Sequence, residues 1–351
     1  MSGERVALVA GARGIVGGNL VRKLLERGWP VIGIARSADA AAVPGYRHLG
    51  VDLHDAKACR DAALECAAAT HMFYAARASD ADATREADTN AAMLRHVMEG
   101  LLARASNLRH VTLVHGTKWY GSHLGPFRTP AREDDPRHAG RNFYYDQQDY
   151  IDALQRGKAW TWSTVRPHIV CGLSLFYPFN CVATLAAYGS LCRELGRPLG
   201  FPGTPAAFDA ISQATDADLL ADAMVWTAEE ARCANQAYNV INGDYFRWRN
   251  LWPALADFFG VAPGPADSPP LAAAMQGSEE IWAAMVRRHG LRDLPLSALA
   301  NWQFGDFLFK AEWDVLSSIV KSRQHGFQRA LDTEQSFLAN LARMREQRLI
   351  P

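Results

Sequence analysis

Three features of the 351-residue sequence predict an α/β fold. Short apolar runs alternate with helical stripes through the first half. A glycine-spaced turn directly follows the first run. The last third is tryptophan-rich and mostly helical in pattern. Alternating strands and helices imply a parallel sheet covered on both faces, so the fold predicted is a doubly wound parallel sheet with a smaller, mostly helical substrate domain.

The elements follow in order. Val6–Ala10 reads as a buried strand. Leu20, Leu24 and Leu25 share one face of a helix over Asn19–Arg27, which Gly28 ends. Val31–Ala35, His71–Tyr74 and Val111–Val114 are further apolar strand runs. Met93, Leu94, Val97, Met98, Leu101 and Leu102 form a helical stripe. Trp162–Val165 and Tyr238–Ile241 complete the strand set, with a helix over Ala217–Ala231 between them. From Cys171 to Cys192 the chain is strongly apolar but broken by Pro178 and Asn180, so it reads as buried or pocket-lining rather than membrane-spanning. The predicted division is a dinucleotide-binding unit over 1–172, joined by 208–242, and a substrate unit over 173–207 and 243–351.

Composition narrows the function. Hydrophobic residues make up 49% and charged residues 21%, as in a packed globular enzyme. Lys+Arg and Asp+Glu are both 37, so no global field favours nucleic acid or an anionic membrane. The six cysteines form no Cys-x-x-Cys pair and fit reduced thiols of a cytoplasmic protein. The first strand starts too early to leave room for a signal peptide. No histidine or cysteine spacing points to a metal site.

The turn Gly11-Ala12-Arg13-Gly14-Ile15-Val16-Gly17 sits between the first strand and the first helix. Glycines there permit a tight turn and close backbone approach, and a helix N-terminus offers free N–H groups to a diphosphate. The motif makes the predicted sheet Rossmann-type and the ligand a dinucleotide. At the end of the second strand stands Arg36, where an acidic residue would select NAD; an arginine suits the 2′-phosphate of NADP, and Arg13 lies close enough in the loop to assist. Asp52 with Leu53, Tyr74 with Ala75, and the Pro167-His168-Ile169 loop are the other expected dinucleotide contacts. NADPH is therefore the expected cofactor.

The Tyr-x-x-x-Lys pair of ordinary short-chain dehydrogenases is missing: Gln148 stands four after Tyr144, and Asp149 four after Tyr145. A lysine occurs instead at Lys118, just past the Val111–Val114 strand. It is one of only six lysines in the chain, which mildly favours a role for a compact ammonium. Gly116-Thr117-Lys118 with Leu124-Gly125-Pro126-Phe127, Asn142–Asp149, and Trp162–Ile169 with Cys171-Gly172 resemble the progesterone 5β-reductase / iridoid synthase-like family, an atypical branch of the extended short-chain dehydrogenases. The similarity continues through Tyr238–Asp244, Trp302–Asp306, His325-Gly326-Phe327 and Ile350-Pro351.

The resemblance implies reduction of activated C=C bonds of enones by NADPH, with Tyr144 and Lys118 as the catalytic pair. Gln148-Asp149 departs from the usual acidic pair, and the loop from Gly121 to Asn142 differs in composition. Lys118 is expected to converge with Tyr144, which should open a helix beginning near Asp146. Phe127, Trp302 and Phe304 are expected to wall an apolar pocket, and Tyr145 to be structural. Two other readings stay open on the residues: a carbonyl reductase or sugar-nucleotide epimerase, and a non-catalytic NADP-sensing regulator. The partner expected is a small enone or carbonyl compound, with a homodimer possible.

Overall fold

The computed structural model describes residues 5–37, 42–175, 177 and 179–351; Pro178 lies outside these. Six strands come first: β1 (Ala7–Ala10), β2 (Val31–Ala35), β3 (Tyr46–Gly50), β4 (His71–Tyr74), β5 (His110–Val114) and β6 (Thr161–Arg166). Short pieces β7 (Val170–Cys171), β8 (Ile211–Ser212) and β9 (Thr215–Asp216) follow, then β10 (Gln236–Asn239). The main sheet is seven-stranded, in the order β10-β6-β5-β4-β1-β2-β3, and every pairing in it is parallel. This is the predicted Rossmann fold. Strand order reverses between β1 and β4, and in such sheets the crevice at the carboxyl ends beside that reversal receives ligands.

Among the strands of the main sheet, two differ from expectation by more than one residue. β3 went unpredicted because Tyr46-Arg47-His48-Leu49-Gly50 is a partly exposed edge strand with no apolar run. The last strand begins two residues before Tyr238 and ends at Asn239, because Val240 and Ile241 already leave the ladder.

Helices α1 (Ile15–Glu26) and α7 (Ala217–Glu229) pack together on one face of the sheet. On the other lie α2 (Ala56–Ala62), α3 (Ala83–Leu102) and α4 (Phe143–Gln155). The α3 stripe is buried as its spacing required, from Met93 to Leu101. Side-chain caps start these helices: Asp55 for α2, Asp82 for α3, Asn142 for α4 and Asp216 for α7.

The second unit surrounds α5 (Cys181–Glu194), whose residues Cys181–Cys192 are all buried. That burial on every side explains the apolar stretch read in the sequence, and no helix of the described residues is long and apolar enough to cross a membrane. Around it pack α6 (Pro205–Asp209), α8 (Trp248–Phe259) and the helices Glu279–His289, Trp302–Leu308 and Thr333–Glu346. Phe201, Trp248, Trp252, Phe309 and Phe337 form its aromatic centre. Trp252 Nε1 finds its acceptor in the Leu199 carbonyl at 2.8 Å.

Asp216 joins the two units. It is buried, and its Oδ1 accepts the Asp218 N–H at 2.8 Å as the cap of α7. Its Oδ2 accepts Ser336 Oγ at 2.7 Å and Asn340 Nδ2 at 3.1 Å, both from the last helix. Asp216→Ala removes the cap and leaves two buried donors unmatched, so a loss of about 2–4 kcal/mol is expected. Chemical denaturation measures it; a change under about 0.5 kcal/mol is what an independent surface position would give.

Candidate functional site

The glycine turn has the tight geometry its spacing predicted. Gly11 has φ +81°, and a Cβ there would sit 2.8 Å from the Ala75 backbone at the end of β4. A Cβ on Gly17 would fall 2.2 Å from the Gly11 carbonyl oxygen. Gly14 occupies the N-cap of α1 and supplies no side-chain cap, so the first-turn N–H groups are left for an anion. The backbone thus fits a diphosphate. Arg13 Nη1 donates to Ser37 Oγ at 2.6 Å, which draws it to the loop carrying Arg36. Arg36 is exposed.

The remaining predicted contacts separate. Asp52 is exposed, and its hydrogen bonds from His54 hold its carboxyl below the usual range. The side chains of Leu53 and Tyr74 belong to the core beneath the sheet rather than to the cleft. Ile15, Val16, Ala75, Pro167, His168 and Ile169 all line the cleft.

Lys118 and Tyr144 meet there as well. β5 ends at Val114, and a tight turn over Thr117–Tyr120 presents Lys118. α4 begins at Phe143, three residues before the expected Asp146, because Asn142 already caps the Tyr144 N–H. Tyr144 therefore sits in the first helical turn. A Cβ on Gly116 would lie 3.2 Å from the Tyr144 hydroxyl oxygen, so the absent side chain gives the phenol its place. That hydroxyl has no hydrogen-bond partner among the described residues, and burial pushes its pKa up to about 12. It remains a donor at neutral pH.

Lys118 is half-buried. Burial lowers its pKa below the ordinary ammonium value, Arg77 and Lys310 push the same way, and Glu86 opposes them. The adjacent Tyr145 is otherwise engaged: its hydroxyl donates to the Trp119 carbonyl and accepts the His138 N–H at 3.0 Å.

Arg166, the last residue of β6, fixes the Lys118 turn. It is only 1% exposed, with its guanidinium carbon 3.7 Å from the Trp119 ring centroid. It donates to the Tyr120 hydroxyl and to the Glu133 carbonyl, each at 3.0 Å. Tyr120 in turn donates to Asn239 Oδ1 at 2.7 Å. Gln148, where the resemblance leads one to expect an acid, accepts from Arg166 at 3.4 Å, and Asp149 pairs with Arg137 at 2.6 Å.

The loop after Arg166 is strained. Ile169 has φ +38°, a value that a β-branched residue adopts only under constraint. His168 supplies part of that constraint: its N–H donates to Thr215 Oγ1 at 3.1 Å, and its Nδ1 pairs with Thr117 Oγ1 at 2.8 Å. Burial lowers the imidazole pKa to about 4, so it is neutral.

The cleft encloses about 250 Å³ between the two units. Of the expected pocket wall only Phe304 lines it. Phe127 packs instead with the Trp119–Tyr145 cluster, and Trp302 packs on the core of the helical unit. The aromatic wall that sequence reading missed comprises Phe143, Tyr177, Phe179, Phe307, Trp248 and Trp313. No periodicity marks these residues, since they come from four stretches far apart in the chain.

The parallel sheet, glycine turn and tyrosine-lysine cleft define an oxidoreductase of the short-chain dehydrogenase/reductase type. Residues 51–351 match the PRISE-like Rossmann-fold domain. The chain is 32% identical to a 3-oxo-Delta(4,5)-steroid 5-beta-reductase of Arabidopsis thaliana, covering 99% of this chain and 94% of that one. Identity is also 32% to an (S)-8-oxocitronellyl enol synthase of Camptotheca acuminata, with the same coverage. The chain belongs to the PRISE-like family, as the resemblance in its motifs implied. Among solved structures, a UDP-glucose 4-epimerase of Thermotoga maritima aligns with TM-score 0.70 at 15% identity, over 97% of this chain and 98% of that one. This likeness is one of fold.

Arg166→Lys keeps the charge but loses the planar fork and the stacked face. Expected are a stability loss of about 2–4 kcal/mol and slower turnover, because the Lys118 turn loses its support. Thermal melts and steady-state kinetics on the same preparation check both.

Proposed function

We propose that this enzyme reduces the C=C bond of enones by 1,4-addition with NADPH. The observation carrying this reading is the convergence of Lys118 and Tyr144 beside Gly116, in a cleft shared with the glycine turn, in a chain without Tyr-x-x-x-Lys. The names of the relatives, a steroid 5-beta-reductase and enol synthases, support it.

When bound at the Gly11–Gly17 turn, a reduced nicotinamide would supply the hydride equivalent that an enone accepts at its β-carbon. The protein's part is electrostatic. As negative charge develops on the carbonyl oxygen, the Tyr144 hydroxyl, preorganised and otherwise unpartnered, donates a hydrogen bond that strengthens with the charge. Lys118 keeps the local potential positive without itself needing to lose a proton. Water entering the open cleft protonates the α-carbon. His168 stays neutral, and its backbone and ring hold the strained loop in place.

Tyr144→Phe preserves the ring and removes the donor. On an activated enone, kcat is expected to fall on the order of 10- to 10³-fold with little change in NADPH affinity. Tyr145→Phe serves as the control: it weakens the Trp119 contact and should lower stability more than rate. Stopped-assay kinetics with product analysis, separating 1,4 from 1,2 reduction, decides this. If neither substitution changes turnover of any reducible substrate, the enone reading falls and an NADP-sensing role takes its place.

The choice of NADPH rests on Arg36, with Arg13 near it. Arg36→Ala is expected to weaken NADPH binding about tenfold, a modest figure for an exposed charge-assisted contact, and to leave NADH nearly unaffected. Fluorescence titration with both cofactors tests it. Equal affinities of the unmodified protein for NADPH and NADH would remove the argument.

A further inference from the structure

The charges around the cleft do not match those of the chain. Overall the protein is neutral, with 37 residues of each sign. The cleft is lined by Arg77, Lys118 and Lys310 and by no aspartate or glutamate among the described residues. Two of the six lysines in the whole sequence stand at this one site.

Only one of the three cations is neutralised. Arg77 pairs with Glu86 at 2.7 Å. Lys118 and Lys310 have no carboxylate within salt-bridge distance among the described residues. Their ammonium nitrogens lie 5.5 and 5.0 Å from the centroid of the same ring, Phe307.

His123 lines the same part of the cleft. Its Nδ1 is buried with no hydrogen-bond partner, and burial, Lys118, the neighbouring His138 and Lys310 lower the ring pKa to about 4 against the opposing pull of Glu86. A neutral imidazole can carry its proton on Nε2, which unlike Nδ1 is not buried, and donate it to an anion.

Two like charges facing one apolar ring, beside a neutral imidazole lining the same cleft, are relieved by an anionic group between them. The diphosphate is accounted for elsewhere, at the Gly11–Gly17 turn.

We propose that the substrate is an oxo compound that also carries a carboxylate, which Lys310 and His123 bind at the cleft mouth while Tyr144 faces the carbonyl. This deepens, and rests on, the carbonyl-directed role given to Tyr144.

The test uses the full chain saturated with NADP+, and calorimetric titration with 5-oxo-5-phenylpentanoate and with its methyl ester. Neither requires turnover. The acid is expected to bind on the order of tenfold tighter than the ester, a contact stronger than a fully solvated ion pair and weaker than a buried one. Lys310→Met should reduce that advantage to about twofold, and Lys310→Arg should keep it.

Equal affinity of acid and ester in the unmodified protein overturns the proposal. So does an advantage that survives Lys310→Met. A loss of NADP+ affinity in Lys310→Met without loss of the acid's advantage assigns the lysine to the dinucleotide and also overturns it. The two readings separate: Lys310-dependent binding of the oxo acid, with no enone reduced, sinks the reductase reading alone. Turnover of neutral enones with no acid preference sinks the carboxylate subsite alone.

Discussion

A cation buried at the end of β6 sets the geometry of the site. A guanidinium removed from water must recover solvation from the protein, and Arg166 does so at its two terminal nitrogens and its stacked face, while its Nε is left without a partner among the described residues. It stacks on Trp119 and donates to Tyr120, which fixes the turn carrying Lys118. Its bond to the Glu133 carbonyl ties down the loop between that turn and α4. Its contact with Gln148 reaches α4 itself, on which Tyr144 rides. One side chain therefore couples the sheet to both Lys118 and Tyr144, and the neutral Gln148 is compatible with it because other acceptors already serve the charge.

The two faces of the cleft differ in kind. On the sheet side the groups are held by short hydrogen bonds and backbone turns: Gly116 beneath Tyr144, Thr117 against His168, Thr215 beneath the strained Ile169 loop. On the helical side the lining is aromatic, from Phe179, Phe304, Phe307 and Trp313. Rigid polar placement suits groups that must meet a developing charge, where small displacements carry large penalties. Apolar packing tolerates variation in what it encloses.

The sequence made the sheet side legible. Glycine spacing, strand runs and the α3 stripe each report a local constraint, so β2 and β4 match the reading to the residue and α7 to within two, while α1 starts at Ile15, four residues before the expected Asn19. Edge strand β3 escaped because half-exposed strands lack an apolar run. Lys118 and Tyr144 were found through motifs rather than periodicity, since nothing local shows that two distant segments meet. The pocket wall was the weakest point: of Phe127, Trp302 and Phe304, only the last faces the cleft. An aromatic residue looks the same in sequence whether it packs inward or lines a cavity. Lys310 gave no signal at all, because its meaning lies in the acids missing around it.

The segment that closes the cleft, from Phe304 to Trp313, is borne by a seven-residue helix docked on its own unit, where Asp306 accepts the Leu271 and Ala272 N–H groups. None of the glycine turn, the Lys118 turn or the start of α4 belongs to it. The aromatic wall and the turns beneath it therefore hang on different parts of the chain, each with its own backbone supports. A substitution in the wall, even one that removes a charge such as Lys310, leaves the hydrogen bonds that place the Lys118 turn and the start of α4 untouched.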